Sequence, residues 1–219
     1  MNKTACTHPQ SAKHGFTSNK QRYKCKQCNK TYINNYKYNA YKTGINHKIA
    51  ILTKESCGIR SISRILSISK TTVIKKIKAI ANKLTQPLIS QHKIFEVDEL
   101  RTYVKNKTTL QWVVLAYEKQ TKQVVSINVG SRTNKTLRQV LQTVVNANPI
   151  KIFTDGLANY KYLLPPTLHQ IKQFGTNRIE RVNLNLRTHM KRLGRRTICY
   201  SKSVAVLLAC IKIYFWYKM

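Results

Sequence analysis

Acidic residues are almost missing from this chain. Seven Asp and Glu stand against 40 Lys and Arg in 219 residues, giving a formal net charge of +33. Residues 1–90 hold 18 of the basic residues and one acid, Glu55, so the excess is spread through the chain and is not a basic tail. Self-repulsion on this scale works against a compact state unless a polyanion offsets it. Nucleic acid is the partner this composition fits, because each phosphate that is neutralised releases a counterion. Long apolar runs are missing as well. The most apolar stretch, Val204 to Ile211, is followed by Lys212 and falls far short of the roughly 20 residues that cross a bilayer. It is expected as a buried helix, and no membrane partner is expected. The opening MNKTACTHPQ lacks the apolar core of a signal peptide, so the expected location is the cytoplasm, in association with the nucleoid. Cysteine is sparse: six residues with a single C-x-x-C pair. That pattern argues against a disulfide framework and for a metal site in a reducing compartment.

What is present falls into three stretches. In CTHPQSAKHGFTSNKQRYKCKQCNKTY, Cys25 and Cys28 form half of a zinc site on a tight turn. Cys6 and His8 are placed to complete a tetrahedron, with His14 as the rival fourth ligand. The segment has few large apolar residues, so a structural Zn²⁺ would have to hold it together. Its basic residues, Arg22 and Lys24 among them, are then expected to face phosphate. Next, GIRSISRILSISKTTVIKKIKAIANKL places Ile59, Ile62, Ile65 and Leu66 at helical spacing, breaks at Ser67-Ile68-Ser69, and resumes with Val73, Ile74, Ile77 and Ile80. Ser69 suits a helix N-cap. Two helices joined this closely, with a further helix expected near His47–Ser56, read as a helix-turn-helix that presents Lys70, Thr71, Thr72, Lys75 and Lys76 to a major groove. Gln86-Pro87 marks a boundary.

Beyond it the periodicity changes to that of strands. KIFEVDELRTYV, QWVVLAYE and VVSINVG are β-branched or aromatic runs separated by polar turns. A helix from Thr133 to about Asn146 and a short strand, KIFTD, follow. Three strands, a helix and a strand in this order open a ribonuclease-H-like α/β fold with a mixed sheet. The chain has only two aspartates: Asp98 in the first of these strands and Asp155 at the end of the fourth, so neighbouring strands would bring both to one site. Alternation puts Glu96 on the face of Asp98, as a possible substitute, and turns Glu99 away. In NRIERVNLNLRTHMKRLGRR an apolar stripe of Ile179, Val182, Leu186, Met190 and Leu193 runs beside Glu180, and Arg187, about two turns on, shares the face of Glu180. Three carboxylates meeting at one point need cations, and two Mg²⁺ (or Mn²⁺) roughly 4 Å apart would clamp the oxygens of a phosphodiester.

VDELRTYV, TDGLANY, LPPTLHQ and above all RIERVNLNLRTHMKRLGRRTICYSKSV resemble the DDE transposases of the insertion-sequence-one family, and KQRYKCKQCNKTY resembles that family's zinc finger. Arg101 and Leu157 stand where the family more often has aromatic residues. The resemblance implies catalytic Asp98, Asp155 and Glu180, with Arg187 as the basic residue after the glutamate. It also implies binding to the terminal inverted repeats of the element, cleavage and strand transfer into target DNA, and at least a dimer on that DNA. The expected organisation is a zinc-finger-like segment at 1–40, a helix-turn-helix at 41–88 and a catalytic domain at 89–219. Two other readings fit the same residues: a non-catalytic DNA-binding regulator derived from a decayed transposase, and a metal nuclease that cuts without joining.

Overall fold

The computed structural model describes residues 8–33, 38–172, 174–194 and 196–218. Cys6 lies outside them. Three short strands open the chain: β1 (Ser11–Thr17), β2 (Lys20–Cys25) and β3 (Thr31–Ile33), antiparallel and in that order. Ser18 and Asn19 both take positive φ between β1 and β2, which matches the twist of a two-residue hairpin. This sheet has almost no core. β1 is exposed throughout, and Cys25 is the one buried residue of the three strands.

Three helices follow: α1 (Ile45–Lys54), α2 (Ile59–Leu66) and α3 (Lys70–Lys83). Ser67 turns the chain in the left-handed region, and the Ser69 hydroxyl accepts from Thr72 N at 3.1 Å, capping α3. Ile49, Ile62, Val73 and Ile77 are wholly buried between the helices. Ile65, expected on the inner stripe, is exposed; among the residues of the short helix α2, only Ile62 is buried.

The second sheet has five strands in the order β6-β5-β4-β7-β8. Strands β4 (Ile94–Tyr103), β5 (Leu110–Glu118) and β6 (Gln123–Gly130) form an antiparallel meander. Helix α4 (Asn134–Val145), capped by Thr133, crosses over to β7 (Lys151–Phe153), which runs parallel to β4. A short α5 (Ala158–Leu163) leads to β8 (His169–Gln170), parallel to β7. Helices α6 (Asn177–His189) and α7 (Val204–Trp216) complete the chain. This strand order and the helix on each face make the fold ribonuclease-H-like.

Alternation along the strands feeds two buried clusters. Phe95, Val97, Val114, Ala116 and Val125 pack with Leu137, Val140, Leu141 and Val144 of α4, and with Tyr160 of α5. Leu100, Val113, Leu115 and Val129 pack with Ile179 and Leu186 of α6 and with Leu207 and Ile211 of α7. The expected buried helix at Val204–Ile211 is therefore there, extended to Trp216. The second cluster also takes in Ile49, Ile62 and Ile77, so α1–α3 share one continuous core with the large sheet. Gln86 Nε2 donates to Val125 O at 2.7 Å, pinning the connection at Gln86-Pro87 to β6, and Trp216 Nε1 of α7 donates to Val124 O of the same strand at 2.8 Å.

Candidate active site

Strand β4 carries Glu96, Asp98 and Glu99, and each meets a different fate. Glu96 is wholly buried; it pairs with Lys119 at 2.9 Å and accepts from Ile179 N, at the start of α6, at 2.8 Å. A carboxylate at a helix N-terminus is favoured by the unsatisfied amides there. Glu96 thus anchors α6 to the sheet, and it stands outside the group of acids that Asp98 joins. Asp98, two residues on and on the same face, accepts from Asn183 Nδ2 of α6 at 2.8 Å and from Glu99 N at 2.8 Å.

Glu99 points to the opposite face, as alternation requires. It accepts from the hydroxyl of buried Tyr160 at 2.7 Å, and Arg132 lies 3.5 Å from its other oxygen. Its carboxylate nevertheless rejoins Asp98. One oxygen each of Asp98, Glu99 and Asp155 lie within 4.8 Å of one another. The cause is the shortness of β7, which pairs only with Ile94–Glu96. Beyond Glu96 that edge of β4 is open, and acids from both faces can bend over it toward Asp155. Asp155 lies two residues past the end of β7, not within the strand, and its Oδ1 accepts from Leu157 N at 3.1 Å.

The open edge also leaves backbone groups that need partners. Asp98 Oδ1 takes the Glu99 amide, and Arg187 Nη2 donates to Arg101 O at 2.9 Å. Arg187 Nη1 donates to Leu193 O at 3.2 Å. Arg187 thus ties the end of α6 to the edge of β4. Glu180 is exposed on the first turn of α6, where Thr176 Oγ1 donates to it at 2.7 Å. It stands outside the three-acid group, yet close enough for its charge to act on Asp98.

Burial pushes the Asp98 carboxyl above its ordinary value, and the negative charges of Asp155 and Glu180 add to the push against the two hydrogen bonds it accepts. Burial raises Glu99 in the same direction, opposed first by the Tyr160 hydroxyl. Tyr160 is itself held well above its usual value by burial and then by the charge of Glu99. Three carboxylates in this setting are a natural seat for a divalent cation. Asn183, Tyr160 and Thr176 were not anticipated. Asn183 had a signal: it is a polar residue four positions after Ile179 and three before Leu186, inside the apolar stripe.

A second ligand group sits on the first sheet. His8, Cys25 and Cys28 offer ligand atoms within 4.8 Å of one another, with Cys25 Sγ 3.7 Å from His8 Nδ1. The amides of Gln27 and Cys28 donate to Cys25 Sγ at 3.4 and 3.5 Å. Contact with Cys28, then Cys25, raises the exposed His8 imidazole above its ordinary value. The rival ligand His14 lies apart from this group and contacts Arg22 Nη2 at 3.0 Å. Lys24 lies two residues after Arg22 on β2, opposite Ala12 of β1.

On α3, Lys70, Thr71 and Lys75 are exposed. Thr72 and Lys76 are engaged within the protein. The Thr72 hydroxyl contacts Ser69 and Tyr38, and Lys76 Nζ donates to Asn46 Oδ1 at 2.8 Å. No helix among the described residues is long and apolar enough to cross a membrane.

A ribonuclease-H-like sheet in which the neighbouring parallel strands β4 and β7 lead to two aspartates defines the structural class. Within it, this chain belongs to the IS1 transposase family, which matches residues 93–219. It is 37% identical over 113 residues to the insertion element iso-IS1n protein InsB of Shigella dysenteriae, covering 52% of this chain and 86% of that protein. It is 40% identical over 109 residues to the IS1 protein InsB of Shigella flexneri, covering 50% of this chain and 83% of that protein. The same identity and length hold for an IS1 InsB protein of Escherichia coli K12, of which the chain spans 65%. Among solved structures, a simian T-cell lymphotropic virus intasome complex matches with a TM-score of 0.37 at 16% identity, over 64% of this chain and 58% of that one. The HTLV-2 integrase catalytic core matches with a TM-score of 0.35 at 14% identity, over 58% of this chain and 86% of that one.

Proposed function

We propose that this chain is a DNA transposase that cleaves the ends of its own element and joins them to target DNA at a centre built from Asp98, Asp155 and Glu180. The observation that carries this reading is the meeting of Asp98 and Asp155. These are the only two aspartates of the chain, distant in sequence, and β4 and β7 bring them into one group. The donor set fits Mg²⁺ or Mn²⁺. Its ligand atoms are carboxylate oxygens, the donors on Asp98 are a neutral amide and a carboxamide, and burial, with the charges of Asp155 and Glu180 added, resists ionisation of Asp98 when no cation is there. Two such ions, when bound, neutralise the centre and polarise the phosphodiester oxygens.

The chain's own residues do the rest. Asn183 fixes the orientation of Asp98, and the Leu157 amide fixes Asp155. Glu180 stands on the first turn of α6, outside the three-acid group and held by Thr176, and would turn inward to share the metal, while Arg187 locks that helix onto β4. Chemistry needs no protein nucleophile: water attacks the phosphorus at the element end, breaking its bond to O3′ and leaving a 5′ phosphate on the flanking strand, and the freed 3′ hydroxyl attacks a target phosphodiester and displaces the target's own 3′ oxygen. Lys70, Thr71 and Lys75 of α3 grip the terminal inverted repeats, Thr72 and Lys76 hold α3 in place, and Arg22 and Lys24 contact phosphate. A structural Zn²⁺ on His8, Cys25 and Cys28, with Cys6 as the fourth ligand, holds the first sheet. Pairing two ends for joining implies at least a dimer on DNA. The segments at 1–40, 41–88 and 89–219 then correspond to grip, grip and chemistry.

Strand transfer with labelled repeat-end DNA and Mg²⁺ tests this. Asp98→Ala, Asp155→Ala and Glu180→Ala should each abolish joining while binding of the repeat end is retained. Joining that survives in any one of them removes that residue from the centre. Binding by the wild-type protein with no cleavage would leave a DNA-binding regulator, and cleavage without joined product a nuclease.

A further inference from the structure

We infer that Glu99 is a fourth carboxylate of the metal centre, a direct ligand to the divalent cation shared by Asp98 and Asp155. The inference rests on the proposed catalytic reading and adds to it a residue that neither alternation nor the DDE pattern assigns. Three observations support it.

First, Glu99 satisfies the distance requirement that Glu180 does not. Its carboxylate, with those of Asp98 and Asp155, forms a group within 4.8 Å, whereas Glu180 is held outward by Thr176. Second, Glu99 is fixed in place by its surroundings. Its side chain is 1% exposed, one oxygen takes the hydroxyl of wholly buried Tyr160, and Arg132, near the other, stacks on the Trp112 ring at 4.4 Å. Partners that orient a ligating carboxylate in this way are the usual support of a metal ligand. Arg132 is 38% exposed, so water screens its charge on Glu99 and leaves the three acids under-neutralised.

Third, the same place holds a buried acceptor without a donor. Asn183 is 8% exposed and gives its amide nitrogen to Asp98, while its Oδ1 has no hydrogen-bond partner among the described residues. Buried polar atoms are rarely left so. Water carried on a cation bound to the neighbouring carboxylates would supply the missing donor. An acid group alone does not define a site, but one adjoining an unsatisfied buried acceptor has the composition of a hydrated-cation site.

The test is Mn²⁺ binding to the full, zinc-loaded chain without DNA, followed by the electron paramagnetic resonance of free Mn²⁺. Asp98→Asn and Asp155→Asn should remove the tight site. Glu99→Gln keeps the acceptor for Tyr160 and loses the charge, and it should weaken Mn²⁺ about tenfold or more, with unchanged near-ultraviolet circular dichroism. Tyr160→Phe frees Glu99 from its hold without touching the charge and should weaken Mn²⁺ by a smaller factor. Should Glu99→Gln fail to fold, Glu99→Asp retains the charge, withdraws the carboxylate by one methylene and should also weaken the site. Folded Glu99→Gln protein that keeps its Mn²⁺ affinity within about twofold, beside weakened Asp98→Asn and Asp155→Asn, overturns the role of Glu99 and leaves the catalytic reading intact. Undiminished Mn²⁺ affinity in Asp98→Asn and Asp155→Asn overturns the catalytic reading itself.

Discussion

The two ligand groups of this protein sit in opposite kinds of surroundings. His8, just before β1, Cys28, in the β2–β3 turn, and Cys25, at the end of β2, gather at a small sheet in which only Cys25 is buried. Asp98 and Glu99 lie on β4, and Asp155 just past the end of β7, in a sheet with a packed apolar cluster on each face. Apolar burial is the main favourable term in folding, at roughly 25 cal/mol per Å², and the first sheet has little of it. There the metal would make the fold, whereas at the acidic group the fold makes the metal site. The first group should therefore be a condition of DNA grip and the second a condition of chemistry.

The largest expected effect follows directly. Stripping zinc with a chelator, or substituting Cys25→Ser, should unfold the strands between Ser11 and Ile33, because zinc binding supplies about 10–16 kcal/mol to small metal-organised folds. Hydrogen exchange reads this out: amides of β1–β3 should lose protection while those of β4–β6 keep theirs. Protection of β1–β3 that survives complete zinc removal would falsify the claim that metal organises this sheet.

A smaller effect should appear at the acidic group, and its sign can be worked out. Asp98 has its carboxyl raised in the folded protein, chiefly by burial and then by the charges of Asp155 and Glu180. The native state therefore binds that proton more tightly than the unfolded chain does. Stability from this group is greatest at low pH and falls as pH rises from the ordinary carboxylate range through the raised native value. Asp98→Asn removes the dependence. In zinc-loaded protein without Mg²⁺, the variant should melt above the wild type at pH 7 to 8, and the gap should close toward pH 4. Saturating Mg²⁺ should raise the wild-type melting temperature and leave that of the variant unmoved. A gap that stays constant across this pH range means that neither burial nor the neighbouring charges raise the Asp98 carboxyl in the folded protein.

Much of this architecture could be read in the residues. Strand alternation placed Glu96 and Asp98 on one face, helical spacing found α3 and the inward side of α6, and the scarcity of aspartate singled out Asp98 and Asp155. What escaped depended on lengths and ends. Alternation turned Glu99 away from the site, and it does face away; only the early stop of β7 at Phe153 lets its carboxylate bend back over an open edge. Helical spacing put Arg187 on the face of Glu180 but could not show that its guanidinium meets the carbonyls of Arg101 and Leu193. The lysines of α3 were equivalent as letters, yet Asn46 on a different helix takes up Lys76. Strand length and cross-helix partners are tertiary facts, and local periodicity does not encode them.

The smallest expected effect separates those lysines and tests the division between grip and chemistry. Lys70 and Lys75 are exposed on α3, and Lys76 is held by Asn46. A lysine that meets a phosphate releases a counterion, so its loss reduces the slope of log K against log salt by about 0.9. Lys70→Ala and Lys75→Ala should each reduce the slope of repeat-end binding by about that amount. Lys76→Ala should change the slope less and act instead through a loosened α1–α3 contact, seen as a lower melting temperature. Binding isotherms at several salt concentrations give the slopes, and joining rates at saturating DNA give the second half of the comparison. With grip and chemistry divided as proposed, Lys70→Ala and Lys75→Ala weaken binding yet join at the wild-type rate once DNA saturates them. A joining rate that falls with either substitution at saturation would mean that α3 also positions the DNA for reaction, and the two regions could no longer be assigned separate tasks.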